Sequence, residues 1–222
     1  MGHSSIELSD PQGPPHVHHM DSKTAYESAK FGMWLFLATE ILLFGGLFCA
    51  FALFRWMHLD EFHAASKHLN VWMGGTNTIV LLISSYFAAM AVDAAQHGDN
   101  AKVRRNILIT IGCACIFLVI KYFEYSEKIH HGYLPWMFDK YSPEVANLNK
   151  EYSVFFALYF CMTGLHGLHV LIGMALLGWV YSLAKKDRFS GRYYTPVEVG
   201  ALYWHLVDLI WIYLFPLLYL VG

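Results

Sequence analysis

The chain has 222 residues, of which 56% are hydrophobic and only 14% charged; soluble domains carry about 25% charged residues. A disordered, collagen-like or nucleic-acid-binding chain is excluded, because each needs a polar, Gly-periodic or basic composition. Fifteen Lys and Arg against 17 Asp and Glu leave a formal net charge of -2, which implies no bulk attraction to an anionic partner.

Residues 1 to about 27 read as a polar flexible tail containing Pro11, Pro14 and Pro15. The tail lacks the basic-then-apolar order of a secretory signal. Its start, MGHSSI, has Ile6 where a myristoylation pattern needs Ser or Thr. His16, His18 and His19 form a loose metal-binding pattern, which reads more simply as part of a solvated tail.

Five apolar blocks follow, at 31–54, 71–95, 106–126, 153–184 and 197–221. A helix needs about 20 residues to cross the hydrocarbon core, and a buried soluble helix is rarely apolar all round for so long. The expected fold is therefore all-α, a polytopic membrane bundle of five transmembrane helices within one domain, 28–222. The separators carry polar residues and breakers: Asp60, Glu61 and Lys67; then Gly98, Asp99 and Asn100; then Pro135 and Pro143 in the longest connection; then Gly191 and Pro196. Pro196 suits the first turn of the last helix, where its missing N–H is harmless. No internal repeat is visible, so an inverted-repeat transporter lacks its usual signature.

With five spans, the N-terminus shares a side with Lys102, Arg104, Arg105, Lys185, Lys186, Arg188 and Arg192, besides its own Lys23 and Lys30. The other side holds Arg55, Lys67, Lys128, Lys140 and Lys150, with Lys121 near a span end. This bias predicts a cytoplasmic N-terminus and a C-terminus outside. Cys49, Cys113, Cys115 and Cys161 lie within spans without a C-x-x-C pair. They read as small buried apolar residues, not as disulfides or a metal site.

An ionisable residue at bilayer depth costs about 2.5–3.5 kcal/mol even on the lenient insertion scale. Glu40, Asp93, Glu124, His166, His169, His205 and Asp208 therefore need a partner or a wet cavity. Glu40 lies about 14 Å into the first span, with nothing charged within one turn. It reads either as a proton- or lipid-linked site or as a protonated carboxyl bonded to a neighbouring helix. His166 and His169 share one helix face by their i, i+3 spacing. Gly164 and Gly167 thin that helix and let another helix or a lipid chain approach. His205 and Asp208 repeat the spacing, so Asp208 is placed to fix the imidazole tautomer. These groups are expected to form one polar seam.

Metal and haem sites are weaker readings. A di-iron bundle needs two Glu-x-x-His pairs, and only Glu127 with His130 fits. A bis-His haem held by His166 or His169 with His205 stays open, but histidines satisfied by helix-to-helix hydrogen bonds are favoured. No residue reads as catalytic or as a metal ligand. Trp56, Trp72, Trp136 and Tyr133 mark an outer interfacial belt, and Tyr193 and Tyr194 an inner one. Gly45, Gly46 and Ala50 give small-residue spacing for close helix packing.

Five segments carry a family resemblance: FGMWLFLATEILLFGGLFCAF (31–51), NTIVLLISS (77–85), KYFEYSE (121–127), TGLHGLHVLIG (163–173) and YWHLVDLIWIYLF (203–215). In that order they resemble the haem-copper oxidase subunit III family, in its shorter bacterial form lacking the first two of seven helices. By this resemblance Glu40 matches the family's buried glutamate, and His166 and His169 its paired histidines. Glu124 and Glu127 match its acidic positions, and His205 and Asp208 the terminal motif.

The resemblance implies a helical bundle with a V-shaped cleft that holds phospholipids, and no cofactor of its own. It implies packing against subunit I, which holds the haems and copper, with subunit II and a respiratory supercomplex as wider partners. The implied role is support of proton uptake and of active-site stability in a proton-pumping cytochrome c oxidase of aerobic electron transport. The implied location is the bacterial cytoplasmic (inner) membrane, with the C-terminus periplasmic. If the cleft needs the absent helix pair, lipid sits between this chain and another. Alternatives are a subunit III-like accessory protein of a nitric oxide reductase or quinol oxidase, an independent haem-bearing electron carrier, and a proton-coupled transporter using Glu40.

Overall fold

A computed structural model describes residues 22–131, 133, 152–190 and 193–220. Its elements are α1 (Ser22–Met57), α2 (Leu59–Ser66), α3 (Val71–Gln96), α4 (Asn100–His130), α5 (Ser153–Lys185) and α6 (Thr195–Phe215), which runs on into a π-helical turn, Pro216–Leu220. Five of these helices are long and apolar enough to cross a membrane, so the chain is a multi-pass membrane protein. The expected five spans are all present, and α2 is an addition. The tail histidines His16, His18 and His19, and Trp136, Pro135 and Pro143 of the long connection, lie outside the described residues.

Local chemistry sets the helix ends. The Asn70 side chain accepts from the Trp72 and Met73 amides at the start of α3, an N-cap that satisfies otherwise orphaned donors. Asp99 does the same for α4 through the Lys102 amide, and Gly98 supplies the left-handed φ of 71° in the turn between them. That cap starts α4 six residues before the apolar block does, because hydropathy marks the membrane and not the helix. Pro196 sits in the first turn of α6, as its chemistry predicts. Pro216 cannot donate to the α-helical ladder, and there the helix widens into the π turn.

α6 is the centre of the bundle. More than half of its apolar window is buried (56%), against 17% for α1. Trp204, Val207, Trp211 and Leu214 are fully enclosed. The tightest approaches fall at two glycines: a Cβ on Gly74 would lie 2.8 Å from the Phe215 ring, and one on Gly173 would lie 2.9 Å from Trp204. A Cβ on Gly45, Gly46 or Gly167 would meet nothing within 4 Å, and one on Gly164 would be 3.9 Å from the Tyr125 hydroxyl. Close packing inside this chain therefore sits at positions other than the four glycines singled out by spacing.

α1 is a peripheral helix held by one stripe. Met33, Leu37, Phe44 and Phe51 are buried, whereas Trp34, Leu35, Leu42 and Leu53 face outward. At its start, Lys30 and Tyr26 both donate to the Glu198 carboxylate at 2.7 Å. Further along, Phe36 stacks on Tyr203 with centroids 5.9 Å apart. Near its end, Phe51 packs edge-on to Phe62 of α2 and Phe155 of α5.

Two expectations are corrected. Cys49, Cys115 and Cys161 are exposed and Cys113 is half-buried; in a membrane a small apolar thiol satisfies its environment without being inside the protein. Asp93 is exposed in the last turn of α3, 3.7 Å from His97, so it lies at the end of the span and not in the bundle.

Candidate functional site

The buried polar groups form separate clusters, not one seam. The first ties α1 to α5. His169 Nε2 lies 2.9 Å from the Glu40 carboxylate, and its Nδ1 lies 2.8 Å from the Leu165 carbonyl. A carbonyl only accepts, so Nδ1 carries a hydrogen. The short contact at Nε2 then needs a second hydrogen between ring and carboxylate. The pair is either imidazolium with carboxylate or imidazole with carboxylic acid, and in both forms it holds one shared proton and no net charge. Phe44 packs edge-on to the ring at 5.4 Å, and the Tyr203 hydroxyl donates to the His169 carbonyl at 3.2 Å.

The second cluster joins α4, α5 and the π turn. Lys121 Nζ donates to Glu124 at 2.9 Å, to the Tyr219 hydroxyl at 2.8 Å and to the Tyr159 hydroxyl at 3.4 Å. The Tyr219 hydroxyl donates to the other Glu124 oxygen at 2.5 Å. Trp211 presents its ring face 4.6 Å from the ammonium, a cation–π contact that strengthens when desolvated. By sequence Lys121 stands near a span end, yet its side chain is buried. Its i, i+3 spacing from Glu124 was the available signal of a pair.

The third cluster lies between α3 and α6. His205 Nδ1 is 2.7 Å from the Ser85 hydroxyl. Ser84 accepts from Trp204 Nε1 at 3.0 Å and donates to the Leu81 carbonyl at 2.7 Å, with Asp208 Oδ2 3.5 Å from its oxygen. The His205 imidazole is therefore oriented by Ser85 and not by Asp208. The i, i+3 spacing puts both residues on one face of α6, but the two serine hydroxyls of α3 are the partners they meet.

His166 is fully buried, and neither ring nitrogen has a hydrogen-bond partner among the described residues. It lies against Trp211 and Phe117, with centroids 5.3 and 5.6 Å away. The two histidines of α5 thus serve different neighbours. Glu127 and His130 are exposed, so the Glu-x-x-His pair does not face the core. Among the described residues no three His, Cys, Asp or Glu side chains converge.

Outside the spans, the turn after α2 docks on the end of α4. Lys128 Nζ donates to the His68 carbonyl, and the Tyr133 hydroxyl is 3.3 Å from His68 Nδ1. Tyr133 in turn stacks on Phe156 at 4.4 Å. Desolvation lowers the His68 pKa below its ordinary value, and the Lys128 and His131 charges lower it further.

Residues 15–131 and 136–222 match the family model described as Cytochrome c oxidase subunit III. The chain belongs to that family. Cytochrome c oxidase subunit 3 of Thermostichus vulcanus is 32% identical over 190 residues, covering 85% of this chain and 85% of that one. The Corynebacterium diphtheriae subunit is 32% identical over 192 residues, covering 86% of each. The Synechocystis subunit is 30% identical over 212 residues, covering 94% of this chain and 80% of the relative. As a subunit III family member, the chain is a membrane subunit of a terminal oxidase. The match begins at residue 15 and α1 at Ser22, so both reach into the stretch that reads as a polar tail.

Proposed function

We propose that the chain serves as the non-catalytic subunit III of a haem-copper cytochrome c oxidase, packed against subunit I and beside subunit II. In this reading it binds phospholipid, supports proton uptake and protects the active site of subunit I, where the haems and copper reside. The N-terminus is cytoplasmic, the C-terminus is periplasmic, and the membrane is the bacterial inner membrane.

The observation that carries the reading is that buried acids and bases close on one another at two places in the bundle. Glu40 is closed on His169, and Lys121 on Glu124 and Tyr219. Such pairing makes a membrane scaffold, with one proton-holding site between a peripheral helix and the bundle. The lipid part is supported by an open apolar groove lined by Trp72, Met73, Thr76, Ile120 and Phe123, and by the open space beside Gly45, Gly46 and Gly167.

The test is purification of the tagged chain from its membranes in mild detergent. Subunits I and II are expected to co-purify with a haem spectrum. Deleting the chain is expected to leave an oxidase that turns over, then loses activity faster and takes up protons more slowly. Purification of the chain alone, with a Soret band of its own, would sink the proposal.

A further inference from the structure

Resting on the subunit III reading, we propose that the α3–α6 face is the docking surface for a membrane-spanning helix of the partner subunit, one that presents a hydrogen-bonding side chain to His205. His205 lies 10 residues into the span Thr195–Leu220, roughly 15 Å along the helix and so near mid-depth. Its ring is only partly buried. Nδ1 is taken by Ser85, and Nε2 has no partner among the described residues. Asp208, one turn on, has a buried carboxylate oxygen that is also unpartnered.

An imidazole nitrogen left unpaired in hydrocarbon is costly. Glu40 and His169 avoid that cost by holding each other, whereas His166, whose nitrogens are also unpartnered, is sealed inside the chain against Phe117 and Trp211, so that among these groups His205 is the one a neighbouring helix can reach. The outward faces of α4 and α5 expose Leu108, Ile116, Val119, Leu168, Leu171 and Ile172, all apolar and content against acyl chains. The surface beside His205 is a mixed one. Leu82, Leu209 and Ile212 are exposed around it, an apolar rim about a polar centre, as at a protein interface.

The depth decides between occupants. A lipid offers only hydrocarbon at mid-depth, because its polar headgroup lies about 15 Å away at the edge of a core about 30 Å thick. A polar side chain on a neighbouring transmembrane helix reaches His205 at the right level, and interhelical hydrogen bonds of this kind tie membrane helices together.

A benzophenone cross-linking residue placed at Leu209, with Leu171 on α5 as the reference position, tests this in the complex purified through a tag on this chain. After irradiation, mass spectrometry is expected to find the Leu209 product joined to a transmembrane segment of subunit I, and the Leu171 product joined to lipid. In parallel, His205→Leu is expected to reduce the haem retained per mole of this chain several-fold after detergent washing, and His205→Gln to restore most of it. A Leu209 product with lipid only or with a second copy of this chain overturns the proposal. So does a subunit I product from Leu171 in place of Leu209. If subunit I co-purifies while the cross-links fall elsewhere, only this assignment fails. If subunit I does not co-purify, the subunit III reading fails first and takes this one with it.

Discussion

The carboxylate of Glu40 on α1 lies 2.9 Å from Nε2 of His169 on α5. Because Nδ1 of the same ring faces a carbonyl, the two side chains share a single proton and behave as a unit. Removing either one strands the other in a largely buried place, with side-chain exposures of 10% and 14%.

Glu40→Leu is expected to destabilise the purified complex by about 1–3 kcal/mol, the cost of an unsatisfied buried polar group. Adding His169→Leu should cost clearly less than the sum of the single changes, since contacting residues couple. Thermal unfolding of the four variants of this cycle measures the coupling. Strict additivity would show that the contact contributes nothing. Identical pH dependence of turnover and pumping in Glu40→Gln would count against a proton role for the pair.

Lys121 and Glu124 form an ion pair with side-chain exposures of 9% and 0%. Breaking such a pair from one side costs about 3–5 kcal/mol, whereas replacing both partners with apolar residues is often neutral. Lys121→Met alone should therefore lower the yield of folded protein sharply, and Lys121→Met with Glu124→Leu should recover much of it. The readout is the monodisperse fraction in detergent. A double variant worse than either single one contradicts the scheme.

At Gly173 a methyl group would sit 2.9 Å from the Trp204 ring. Overpacking of this kind costs about 1–3 kcal/mol, so Gly173→Ala should lower the melting temperature of the chain. Gly167→Ala meets open space within the chain and should leave its melting temperature within the small range of surface substitutions. Equal effects at the two glycines would contradict the packing described for α5 and α6.

His68 is held below its ordinary pKa of about 6.5, by desolvation first and then by the Lys128 and His131 charges. In the open state the ring binds a proton more readily, so acid favours opening. The contribution to stability is complete above about pH 6.5 and is lost as pH falls toward the lower folded value. The ring is largely exposed, so the effect is local and modest. Hydrogen exchange at residues 66–70 should speed up on acidification below about pH 6.5, after correction for the intrinsic rate. His68→Gln should flatten that response, and an unaltered response in the variant would remove His68 from the account.

The five spans were legible because crossing a bilayer imposes a length and an apolarity that few other structures need. α2 was not, since eight residues burying only Phe62, Ala65 and Ser66 look like any polar connection. The need of Glu40 for a partner was legible from its depth, but the identity of that partner was not. Nothing within α1 points to His169, and the choice depends on how α5 rotates against it. The glycine expectation followed spacing alone, yet Gly74 and Gly173 matter because Phe215 and Trp204 arrive from α6. Lys121 and Glu124 carry the spacing of a pair, but a lysine close to the end of an apolar block has the same pattern as one that marks the membrane boundary. The separation of His205 from Asp208 depended on the serines of α3, which no pattern within α6 contains.

The first helix leaves the ribosome well ahead of the residue that completes it. Glu40 and His169 are 129 positions apart, which at typical elongation speeds of about 5–20 residues per second is roughly 6–26 s of synthesis. During that interval α1 is already hydrophobic enough to enter the lipid, with an acid group at its middle and the His169 imidazole not yet made. The nascent chain must therefore cross this stage with the carboxyl neutralised by protonation, or sheltered by the insertion machinery. Assembly then becomes a timed event, in which the arrival of α5 seals a helix that has been waiting in the membrane.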